Sequence, residues 1–231
     1  MRQPLLLQFY NGLPDRKPGD DSRQAIYRMR RGLSRYKKEV ESSYNEATLE
    51  RLVACSDPEV RQAAVLALGL TGSMNVNARL AARLHDEDPI VSELAADALW
   101  SIWFRADTKE NNQELQRLMR QRVDASNAAV VLAGFNTLIA KTPRFAEAYN
   151  QRGIAYFRLG DLAHSVADCE KVLRLNPYHF GAAGGLAQCF MKQKKLRAAL
   201  RTYRRANRIN PKLDGVRQVI DSLERMLGEK G

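Results

Sequence analysis

The chain has 231 residues, 45% of them hydrophobic and only 7% aromatic, a balance that favours close-packed helices over sheets. Its net charge of +11 suits either an anionic partner or a basic solvated surface. The three cysteines, Cys55, Cys169 and Cys189, are odd in number and form no CxxC, which argues against a disulfide framework or a zinc knuckle.

Residues 1–20 hold Pro4, Pro14, Pro18, Gly12 and Gly19 and read as a flexible arm. The apolar run from Pro4 to Tyr10 is too short for the h-region of a signal peptide. No window reaches the ~20 apolar residues of a membrane span, so a soluble, cytoplasmic protein is expected. Over residues 21–44, Ile26, Met29, Leu33, Tyr36 and Val40 recur at spacings of three and four. That spacing predicts an amphipathic helix, wrapped by Arg28, Arg30, Arg31, Arg35, Lys37 and Lys38, that caps the next element. Charge then alternates along the chain. Residues 1–44 sum to +5, 45–106 to −4, 107–145 to +2 and 146–231 to +8.

Over residues 45–106 a motif repeats. "SDPEVRQAAVLALG" starts at Ser56 and "EDPIVSELAADALW" at Glu87. In each, an Asp can cap a helix start, a Pro suits its first turn, and alanines permit close helix approach. A first helix is expected before each, over Glu46–Ala54 and Asn77–Leu84. This pattern resembles HEAT-like repeats of the short kind found in bacterial scaffold proteins and phycobilin lyases. Ser92 stands where Arg usually follows the Val, whereas Arg61 keeps it. The tryptophans of "LWSIWF", Leu99–Phe104, are expected in the core.

From residue 107 the period changes to 34. Pro143, Pro177 and Pro211 keep that spacing, as do Phe135, Cys169 and Tyr203, and Leu138, Val172 and Ala206. The spacing, with Tyr149, Gly153, Tyr156 and the "LGD" turn at 159–161, resembles the tetratricopeptide repeat. A degenerate copy is expected over 107–145, clear copies over 146–179 and 180–213, and a shielding helix over 214–231. The resulting fold class is all-α, an α-α superhelix of HEAT-like pairs followed by tetratricopeptide pairs and a C-terminal capping helix.

Three glycines in "FGAAGGL", Gly181, Gly184 and Gly185, raise the question of a phosphate loop. Such a loop needs a strand before it and a helix after it. Here the repeat register places all three glycines inside a helix, for packing or to shape a groove. Resemblance to the family implies that Glu147, Asn150, Ile154, Phe157 and Arg158 line a concave groove. Gly181, Gly184, Gln188, Met191 and Lys192 would continue it in the last repeat. Members that bind chaperone tails use a Lys/Asn/Arg clamp. Here Asn150 is followed by Ile154 where that clamp has Asn.

His85, His164 and His179 lack zinc-ligand spacing, and His164 and Asp168 read as a surface pair. Cys169 and Cys189 are expected to fill small core positions on facing helices. No catalytic residue, cofactor or metal is expected. The leading reading is a non-catalytic scaffold for a protein or peptide. The alternative is a nucleic acid or anionic surface held by basic helices, chiefly Arg197, Arg201, Arg204, Arg205 and Arg208. A bilin-lyase-like enzyme is implied only by the HEAT-like resemblance.

Overall fold

A computed structural model describes residues 4–14 and 21–228. Thirteen α-helices, and no strand, occur among the described residues. The chain divides into two compact units, Met1–Ile102 and Trp103–Gly231.

The first unit contains α1 (Leu5–Asn11), α2 (Ser22–Ser43), α3 (Glu46–Leu52), α4 (Pro58–Thr71), α5 (Asn77–Ala82) and most of α6 (Pro89–Trp103). The starts of its two longer repeat helices follow the Asp-Pro pattern. The Asp57 carboxylate accepts from the Glu59 N–H with Pro58 at the first helical position, and Asp88 accepts from the Val91 N–H. Close approach follows from small side chains. A Cβ on Gly69 of α4 would lie 3.0 Å from the Ala98 Cβ and 3.1 Å from its Cα on α6.

One expectation fails at the start of the chain. The stretch read as a flexible arm contains α1, and Pro18 and Gly19 lie outside the described residues. A seven-residue helix is marginal alone. Here Leu6 and Leu7 are buried and the Leu6 N–H donates to the Tyr44 hydroxyl, so tertiary contacts hold it. The apolar stripe of α2 is covered only in part. Tyr36 and Val40 are buried, and the Tyr36 hydroxyl donates to the Ala63 carbonyl at 2.7 Å, while Ile26 and Met29 are exposed.

The second unit stacks helices in series: α7 (Lys109–Met119), α8 (Ala128–Lys141), α9 (Ala146–Leu159), α10 (Leu162–Leu175), α11 (Phe180–Lys192), α12 (Leu196–Ile209) and α13 (Val216–Leu227), each packed on the next. Serial contact is what a repeat array requires, because no single pair can bury its apolar face alone. Gly160, in a left-handed conformation with φ of 82°, turns α9 into α10. Phe135, Leu138, Tyr149, Cys169, Val172 and Leu186 share one core, and Ala187, Leu200, Tyr203, Ile220 and Leu223 form another where α13 covers the last pair.

Candidate binding groove

The first helices of the middle and last repeats, α9 and α11, touch one another. Several residues expected on the groove are at its surface. Ile154 is 38% exposed, and Arg158, Gln188 and Lys192 are also exposed. The Lys192 ammonium sits 5.7 Å from the centre of the half-buried Phe157 ring, a cation–π contact between the two repeats. Gly184 lies on the same side of α11, and no atom comes within 4 Å of where its Cβ would stand. The packing explanation for this glycine therefore has no contact to rest on. Gly185 differs, since its Cβ would meet the Cys169 sulfur at 3.6 Å.

Other expectations are corrected. Glu147 and Asn150, at 1% and 3% exposure, are buried rather than lining an open groove. The Glu147 Oε1 accepts from the Asn150 Nδ2 at 2.9 Å and the Gln151 Nε2 at 2.6 Å, and its Oε2 pairs with the His179 Nε2 at 2.9 Å. His179 is itself the cap of α11, where the Ala182 N–H donates to its Nδ1 at 3.0 Å. With Nδ1 accepting, the ring proton sits on Nε2 and is donated to Glu147. Trp103 stacks on this imidazole at 4.2 Å between ring centres. Buried polar groups need partners, and this set supplies them between α9 and the start of α11. Met191 turns toward the core formed by Ala187, Tyr203 and Ile220.

The pairing of His164 with Asp168 is also corrected. Asp168 is buried and takes a two-pronged bond from Arg152, at 2.8 and 2.6 Å, while a third Arg152 nitrogen donates to Asn136 at 2.6 Å. The Asp168 bond holds the Arg152 guanidinium more firmly protonated than usual. His164 instead pairs with Asp161 at 2.6 Å and stacks on Tyr156. Sequence reasoning passed over Arg152 and His179 because their partners lie 16 and 32 residues away. An Arg in the first helix and an Asp in the second helix of one repeat was the available signal for the first.

Cys169 and Cys189 are buried and unlinked, and the Cys189 sulfur lies 3.2 Å from the Ser165 hydroxyl. Burial, with Cys189 beside it, pushes the Cys169 thiol up to about 12. Neither is poised as a nucleophile at neutral pH. On α12, Arg204 is bonded to Glu224 of α13 at 2.8 Å, so the five arginines are not one uniform cationic face. Arg201 and Arg208 are exposed and Arg205 half-buried. No cluster of His, Cys, Asp and Glu suited to a metal occurs among the described residues.

Comparison with known proteins agrees with these elements. The HEAT repeats family matches residues 45–135 and the tetratricopeptide repeat family residues 146–179. The first match runs over α7 and part of α8, so helices that the 34-residue spacing assigns to a degenerate tetratricopeptide copy also fit a HEAT pair. The chain thus carries HEAT repeats followed by a tetratricopeptide repeat. A TPR repeat-containing protein of Rhizobium etli is 30% identical over 126 residues, covering 54% of this chain and 61% of that protein. The Hsp70-Hsp90 organizing protein 1 of Glycine max is 26% identical over 95 residues, 39% of this chain and 17% of its own length. The chain thus spans under two thirds of each of these relatives. Among solved structures, the TPR2AB domain of yeast Sti1 in complex with an Hsp90 peptide aligns over 89% of this chain and 94% of its own, at 16% identity and a TM-score of 0.44.

Proposed function

We propose that this protein is a scaffold whose α9–α11 surface binds an extended peptide segment of a protein partner. The binding residues are Ile154, Phe157 and Arg158 on α9, and Gly184, Gln188 and Lys192 on α11. The observation that carries the reading is Gly184. A glycine inside a helix costs about 1 kcal/mol relative to alanine. No neighbouring atom offsets that cost, and an approaching main chain would. The relatives named for organising Hsp70 and Hsp90 favour protein partners in general. They do not extend to the identity of the partner, because the shared region is a small part of their length.

The test is peptide display. Sequences selected on the wild-type protein are measured against Gly184→Arg and Ile154→Asp, both at exposed or unfilled positions. Binding weakened more than tenfold in both variants, with melting unchanged, supports the groove. Selected peptides that bind all three proteins equally remove it. Nucleic-acid binding through α12 has less behind it, since Arg204 is already committed to Glu224.

A further inference from the structure

The first unit carries a second surface, unrelated to the groove. At ~100° per residue, Ile26, Met29, Leu33, Tyr36 and Val40 fall on one arc of α2, and Arg23 and Arg30 flank it beside Ile26. Exposure rises toward the start of the helix. Val40 and Tyr36 are 0% and 1% exposed, Leu33 is half-buried, and Met29 and Ile26 are 39% and 53% exposed, with the neighbouring Tyr27 at 62%. The stripe that seats the second half of α2 in the first unit continues onto its first half, where none of the described residues covers it. Residues 22–38 also hold seven Lys/Arg and no Asp or Glu.

We propose that the first half of α2 docks on an anionic lipid surface, Ile26 and Met29 entering the headgroup boundary while Arg23 and Arg30 meet acidic headgroups. A helix with an apolar edge and a wholly basic polar face lies in the plane of such a membrane, gaining from both apolar burial and charge. No helix among the described residues is long and apolar enough to cross a membrane, so attachment is peripheral. A second copy of the chain is disfavoured as occupant, because two faces of this charge repel. Nucleic acid would use the arginines but leave Ile26 and Met29 without a role.

The experiment is co-sedimentation of the full chain with vesicles of phosphatidylcholine alone and of phosphatidylcholine mixed with phosphatidylserine, at low and high salt. The expected result is partition onto the mixed vesicles only, weakened by salt. At about 1 kcal/mol per basic residue, reversing Arg23 and Arg30 to Glu lowers partition at least tenfold. Replacing Ile26 and Met29 with Ser also lowers it, with the helical spectrum and melting temperature kept. Four results overturn the proposal: no binding to mixed vesicles, equal binding to both kinds, insensitivity to the Ile26/Met29 change, or a concentration-dependent dimer that those same changes dissolve. A single-stranded RNA shift that survives the Ile26/Met29 change, without vesicle binding, would assign the face to nucleic acid instead.

Discussion

Helices α4 and α11 are built from similar material and end in different roles. Each holds three alanines and at least one glycine. Helix α4 buries an unbroken run from Val60 to Val65 and then Ala67, Leu68 and Gly69. Helix α11 buries Ala182, Ala183, Leu186, Ala187 and Cys189, and leaves Gln188 and Lys192 exposed beside Gly184. Small residues therefore mark close approach in one case and an open face in the other. What separates them is the atom that a Cβ would meet: Ala98 at Gly69, nothing at Gly184. Each helix is also fixed by a buried polar group, but of different kinds. On α4 it is a permanent cation, Arg61, and on α11 it is the cap His179.

The strongest break in the comparison is expected at Arg61. Its guanidinium bonds both oxygens of Asp86, at 3.1 and 2.7 Å, and the Cys55 and Ser56 carbonyls, at 3.0 and 2.9 Å. Removing it leaves a buried carboxylate with only the partly exposed Arg83 as cation. Arg61→Ala is expected to lower stability by about 3–5 kcal/mol in denaturant unfolding. Arg61→Lys should recover little, because one ammonium cannot reproduce the fork. A loss under ~1 kcal/mol, the range of exposed pairs, would mean the pair is not buried in solution.

The same pair sets an acid dependence. Burial works against the Asp86 charge, but the Arg61 hydrogen bonds, the Asp88 N–H and Arg83 outweigh it, so its carboxyl lies below the usual range. A depressed folded value contributes stability that is present above the unfolded value of ~3.9 and lost as pH falls through the folded one. The melting temperature should fall below about pH 4, and less steeply in Asp86→Asn. Equal slopes in the two proteins would detach acid unfolding from this carboxylate.

His179→Ala comes next. It removes the cap of α11, a donor to buried Glu147 and the stacking partner of Trp103. The expected loss is about 2–3 kcal/mol from cap and unpaired acceptor together. Altered tryptophan emission should accompany it, because the face of Trp103 loses its cover. Unchanged emission with unchanged stability would show that α11 is not anchored through this imidazole.

How far these roles were legible follows from their range. The Asp-Pro caps and the 34-residue spacing are local or periodic, and both read correctly as helix starts and repeated helices. Periodicity also put Glu147, Asn150 and Ile154 on one face of α9, but a face is not a depth. Only the arrival of His179, the cap of α11, decides that Glu147 is inside and Ile154 outside. Helix α1 was missed for a related reason. Prolines and glycines surround it, and its stability comes from the burial of Leu6 and Leu7 and the bond to Tyr44 rather than from the helix propensity of its seven residues.

The two glycines give a paired measurement of opposite sign. In Gly69→Ala the new methyl meets Ala98 at about 3.0 Å, including backbone atoms that cannot swing aside. Helices α4 and α6 must then separate, and a loss of about 1–3 kcal/mol is expected despite the better helix propensity. A neutral result would mean that the helices already sit farther apart.

The smallest expected effect is the most informative about the groove. In Gly184→Ala the methyl enters open space, so only backbone terms change. Alanine restricts the unfolded chain and favours the helix already formed, and the melting temperature should hold or rise, by up to ~1 kcal/mol of stability. If Gly184→Ala instead falls alongside Gly69→Ala, then α11 is packed at this point as tightly as α4. Gly184 would leave the binding surface, and the groove would rest on Ile154, Phe157, Arg158 and Lys192 alone. If the signs are opposite, glycine here gives no stability of its own. Selected peptides should then bind Gly184→Ala somewhat more weakly than wild type and Gly184→Arg much more weakly, a graded loss that follows side-chain volume rather than fold.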